Sequence, residues 1–184
     1  MRKMQSNIYI VVSQTGTLLS RILKLITGAE YNHVSLGLTE DLETMYSFGR
    51  KWAYNPFWGG MVKESLHHGT FKRFQKTEAV VLEVPVDPEL YKEMTDYLER
   101  MYRKKDHYHY NYLGLILAAI KIHYHPVNHY YCSSFVKDVL VHFKLIEPDE
   151  MTEIVQPIHF MELFEEKKIY SGRLQSFGMP QLRR

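Results

Sequence analysis

The chain has 184 residues, 45% hydrophobic and 24% charged, with a formal net charge of +2. A chain near this size hides roughly 70% of its unfolded surface, so one domain spanning 1–184 is the expectation. The near-neutral balance gives no support for a nucleic-acid binder, which carries a concentrated basic patch. The single cysteine excludes an internal disulfide and suits a reducing, cytoplasmic compartment.

Ile8-Tyr9-Ile10-Val11-Val12 is too short an apolar run for a signal peptide and lacks a small-residue cleavage site. It reads as a buried strand over 8–13. Leu18, Leu19, Ile22, Leu23, Leu25 and Ile26 predict a short amphipathic helix, with Thr15 or Thr17 as its cap and Gly28 as its stop. Val34, Leu36 and Leu38 alternate with Ser35 and Gly37, which predicts a half-buried strand. Thr39-Glu40-Asp41-Leu42 forms the turn, and 44–48 returns as the hairpin partner.

Residues 50–76 have no clear period. They hold both tryptophans, a Gly pair and several Lys, Arg and His residues. A long irregular segment inside a compact domain is usually functional or disordered, and this composition predicts an ordered loop, either a loop or lid bordering an active site or an ordinary covering loop whose aromatics pack on the core. Its basic and aromatic content also suits an acidic or membrane surface.

Val80, Leu82, Val84 and Val86 alternate as a further strand, 79–86. Asp87-Pro88 then starts a helix with Leu90, Met94, Tyr97, Leu98 and Met101 on its apolar face. The longest apolar run, Tyr112 to Ile120, is about half of the ~20 residues a membrane-spanning helix needs. Two histidine clusters, His107 with His109 and His123 with His125, have spacing too unspecific to predict a metal site. Pro157 opens a last helix with Ile158, Met161, Leu163 and Phe164. The tail, 171–184, is polar and basic and is expected to fray.

Cys132 begins a helix over 131–143, sharing a face with Phe135, Val136, Val139, Leu140 and Phe143. Asn128 or His129 is the candidate cap. A helix N-terminus carries unpaired N–H groups and partial positive charge, both of which favour thiolate over thiol. His33 opens a strand far upstream. A lone cysteine with a distant histidine is the form a nucleophile and its base take in a sequence. A buried cysteine is also often a small core residue and nothing more.

The ordered set Ile10-Val11-Val12-Ser13, Leu18-Leu19-Ser20-Arg21-Ile22, Tyr31-Asn32-His33-Val34-Ser35-Leu36, Met45-Tyr46-Ser47-Phe48-Gly49 and Tyr131-Cys132-Ser133-Ser134-Phe135-Val136 resembles the circularly permuted NlpC-type papain-like proteins. That group includes the lecithin retinol acyltransferase-like enzymes. The His strand precedes the Cys helix, the reverse of ordinary papain-like order. The resemblance covers the first fifty residues and the helix near 132. It implies an α+β fold, an antiparallel sheet packed against helices, and a cysteine hydrolase or acyltransferase acting on an amide, ester or thioester, either peptide-like or a lipid acyl group. Cys132 would be the nucleophile and His33 its base. No cofactor is implied. Tyr31, Trp58 and Tyr131 are the expected substrate-binding residues. The family's third polar residue, commonly Glu or His, follows on the next strand. Hairpin register puts Ser47 there, with Tyr46 the alternative after a one-residue slip. A serine cannot stabilise imidazolium as a carboxylate does, so a catalytically weak or inactive binding module is the alternative function.

Overall fold

The computed structural model describes residues 6–14, 30–51 and 59–179. Six strands form one antiparallel sheet: β1 (Ser6–Gln14), β2 (His33–Gly37), β3 (Met45–Arg50), β4 (Gly59–Glu64), β5 (Glu78–Val86) and β8 (Lys168–Arg173), in the order β4-β3-β2-β1-β5-β8. Two short strands, β6 (His109–Tyr110) and β7 (His129–Tyr130), pair in parallel apart from it. The helices are α1 (Gly69–Arg73), α2 (Pro88–Arg103), α3 (Tyr112–Ala119), α4 (Cys132–His142) and α5 (Pro157–Leu163). The fold is α+β.

Strand β1 is apolar on both sides because both sides are covered. Ile8, Ile10 and Val12 join a large core with Val34, Leu36, Phe48 and Leu82, sealed by Met94 and Leu98 of α2 and by Phe135, Val136 and Leu140 of α4. Tyr9 and Val11 point the other way, into a smaller cluster with Met45, Leu66, Phe71, Val81 and Leu174. Strand alternation makes the division: neighbours in sequence face opposite sides of a sheet. The run 8–12 therefore reads as continuous rather than alternating.

Three expectations are corrected. Residues 50–76 are not one irregular loop: β4 and α1 lie within them. Gly59-Gly60 at the start of β4 hides the strand signal, since glycine has no side chain to show a period. The segment 171–179 does not fray. Strand β8 covers the edge of β5, and Leu174 is fully buried beyond it. The Gln175 amide donates to the Leu66 and Phe71 carbonyls at 3.1 and 2.9 Å. Finally, Tyr131 caps α4, not Asn128 or His129. The helix expected over 18–26 lies outside the described residues. Among the described residues, no helix is long and apolar enough to cross a membrane.

Candidate active site

Cys132 is the first residue of α4 and only 6% exposed. Its helix start is held by side chains rather than by charge. Ser134 Oγ accepts from the Tyr131 N–H at 3.1 Å and donates to the Tyr131 carbonyl at 3.0 Å. Ser133 Oγ donates to the Val155 carbonyl at 2.9 Å. No acidic residue sits in the first turn, so nothing there offsets the partial positive charge of the helix end.

His33 opens β2. Its Nε2 lies 3.1 Å from both carboxylate oxygens of Glu64, and Cys132 is close enough to raise the pKa of the ring. Ser35 Oγ is 3.2 Å from the same Nε2 and donates to Glu64 Oε2 at 2.5 Å. The Phe71 ring, 6.4 Å away, covers the imidazole. The side chains of His33 and Glu64 are 13% and 12% exposed.

This pair is strongly polarised. Burial drives the His33 pKa down, but the Glu64 carboxylate, with a contribution from Cys132, outweighs it, and the value is pushed up to about 10. Glu64 is held below the usual carboxylate range: burial acts upward and is outweighed by the His33 charge and by the hydrogen bonds from His33 and Ser35. The stable form is an imidazolium facing a carboxylate.

Ser47 is not the third member. It is fully buried, and its hydroxyl donates to the Val34 carbonyl at 2.7 Å. The observed register, Leu36 opposite Tyr46 and Gly37 opposite Met45, continues to place Gly49, not Ser47, across from His33. Tyr46 is excluded too, because its hydroxyl donates to Glu99 at 2.5 Å. Glu64 comes from β4 and shares a sheet face with His33. Paired residues point to one side of a sheet; Glu64 pairs with Met45, which pairs with Gly37, two alternations along β2 from His33. A Cβ at Gly49 would stand 3.7 Å from His33 Cε1 and 3.9 Å from Glu64 Oε1, so this position borders both. Sequence reasoning missed Glu64 because Lys63-Glu64 reads as a solvated pair inside an aperiodic stretch.

The expected substrate-binding residues fare differently. Tyr131 is 5% exposed and belongs to the core. Its phenol is pushed up to about 12 by burial, then by Cys132 and Asp138. It offers almost no surface to a ligand. Tyr31 is half-buried and packs on the larger core. Trp58 lies outside the described residues. A cleft of about 420 Å³ lies against Glu64, lined also by Glu43, Lys51, Lys63, His68 and Thr70.

The clustered histidines pair among themselves, His123 with His125 at 6.3 Å between ring centroids. His109 and His129 pack ring to ring at 5.1 Å, and His129 Nδ1 donates to the Val127 carbonyl at 2.8 Å. Among the described residues, no three His, Cys, Asp or Glu side chains converge as metal ligands would. Comparison of the chain with family models, curated proteins and solved structures gives no match.

Proposed function

We propose that the protein is a cysteine hydrolase or acyltransferase of the permuted papain-like, NlpC-type kind, acting through Cys132, His33 and Glu64 on an amide, ester or thioester. The supporting observation is the His33 ring bonded to the Glu64 carboxylate and close enough to the single cysteine, Cys132, for each to act on its charge. Glu64 holds His33 as the imidazolium, so the thiol proton leaves to water and the thiolate stands beside that charge. The thiolate attacks the substrate carbonyl carbon. The N–H of Cys132, in the first turn of α4 where no intrahelical acceptor exists, points to the developing oxyanion. The imidazolium then gives its proton to the leaving group as the carbon–leaving-group bond breaks, leaving a thioester on Cys132. Water, or an acceptor in a transferase, attacks that thioester; His33 takes the attacking proton and the thiolate is regenerated.

The alternative, a catalytically weak or inactive binding module that keeps the fold, is motivated by a serine in the third position; the Glu64 carboxylate beside His33 favours the catalytic reading over it.

Two measurements test the reading. Iodoacetamide should alkylate Cys132 in the folded protein quickly even below pH ~7, where a free thiol of pKa ~8.5 is mostly protonated. His33→Ala should move that profile towards a free thiol. A p-nitrophenyl acyl ester should leave one acyl mass on the wild type and none on Cys132→Ser. An unreactive folded thiol, or acylation that ignores His33, sinks the proposal.

A further inference from the structure

Among the described residues, six of the eight large hydrophobic side chains left exposed lie within 113–127, outside the chemistry described above. Helix α3 carries hydrophobic side chains all round, without the polar face an ordinary surface helix shows. Leu113 and Ile116 are 52% and 65% exposed, and beyond the helix Ile120, Ile122, Tyr124 and Val127 are 64%, 48%, 43% and 86% exposed. Scattered exposed apolar residues need no explanation, but a contiguous set in one short segment marks an interaction surface.

Charge selects the occupant. No Asp or Glu occurs from His107 to Lys137, while Lys121 and five histidines do. Lys121 sits in the middle of the apolar set, and Tyr124 follows it. Aliphatic side chains with an aromatic and a lysine at their border match the water–lipid boundary, where the tyrosine ring sits among headgroups and the lysine stem reaches back to them. The nearby carboxylates, Glu153 and Asp138, lie 3.6 and 4.0 Å from His123 and His125, not against Lys121. The surface also joins the candidate active site: the N–H of Asn111, which caps α3, donates at 2.8 Å to the carbonyl of Tyr130, two residues before Cys132.

We infer that residues 113–127 dock the protein on an anionic lipid bilayer surface, with Ile116 and Ile120 entering the acyl boundary and Lys121 meeting the headgroups. Docking needs no transmembrane span, only buried apolar area and attraction to anionic lipid.

The test is flotation of the full chain with vesicles of equimolar phosphatidylcholine and phosphatidylserine, and of phosphatidylcholine alone. The wild type should float with the first far more than with the second, and less as salt is raised. Ile116→Asp with Ile120→Asp should weaken binding about a hundredfold or more. Lys121→Glu should weaken it about tenfold. Ile169→Asp, an exposed apolar site on β8 that is 48% exposed, should leave it unchanged. Should the double variant misfold by circular dichroism, Val127→Trp provides a second readout: its emission should shift to the blue with anionic vesicles only. Cys132→Ala should float like the wild type, which separates this inference from the catalytic one. Absence of flotation overturns the inference, as does flotation indifferent to positions 116 and 120. A lipid-free dimer of the wild type that the double variant breaks would assign the surface to a second copy and overturn it as well.

Discussion

At the scale of single residues, the site turns on one ion pair with little access to water. Breaking a buried pair by removing one partner costs more than the pair contributes, because the remaining charge is left uncompensated. Its pH dependence follows from two shifts of opposite sign. His33 is raised, so its contribution is complete below the ordinary imidazole value of 6.5 and is lost as pH rises towards about 10. Glu64 is lowered, so its contribution is present above the ordinary value of 4.5 and is lost as pH falls through its folded-state value. The pair therefore stabilises most between those two ordinary values. Glu64→Gln should cost about 3 kcal/mol within that window. The cost should shrink steadily above it and be nearly gone past about pH 10. Denaturant titrations of both proteins across pH measure this. A cost that stays level to high pH would mean that Glu64 acts by packing and not through the His33 charge.

At the scale of elements, β3 sets the distance between β2 and β4, and Gly49 is the position that matters. A methyl at 49 would make ordinary contacts with His33 and Glu64. A branched side chain would press on Val62, His33 and Glu64 together, and overpacking of this kind costs about 1–3 kcal/mol. Gly49→Val should move the pH profile of Cys132 alkylation towards that of His33→Ala, while Gly49→Ala should leave it close to wild type. Equal profiles for all three glycine-site proteins would show that the pair does not depend on this position. Strand β4 thus carries something its sequence hides: its last residue is the carboxylate bonded to His33, although its first two have no side chains to mark a strand.

At the scale of the whole molecule, the sheet is covered on both faces, and the ends of the chain's described part meet there. Leu174 packs beside Val11, Ala79 and Phe71, contacts that close only when the C-terminal segment returns to the first strands. Such long-range closure couples the two ends of the fold into one cooperative unit. Leu174→Ala should therefore lower global stability by about 2–4 kcal/mol and keep a single unfolding transition. Coincidence of fluorescence and far-UV circular dichroism on denaturation checks it; an early, separate loss of 168–179 would show that the segment is an appendage.

Much of this architecture was legible in the amino-acid order. The alternation of 80–86, the Asp87-Pro88 helix start and the apolar spacing after Cys132 are local signals, and each predicts its element because backbone periodicity sorts side chains onto faces within one segment. His33 and Cys132 were legible as candidates for the same reason: each stands at the start of a recognisable element. What joins them is not local. Ser47 failed as the third residue because hairpin register depends on where the turn ends, and Gly49, not Ser47, came to lie opposite His33. Glu64 was out of reach because a carboxylate becomes part of a site only when three strands align their faces, and nothing within 59–64 records that alignment. Leu174 and the exposed segment 113–127 follow the same rule. An apolar residue reads alike whether it is buried or left at the surface, and only the packing of distant segments decides which.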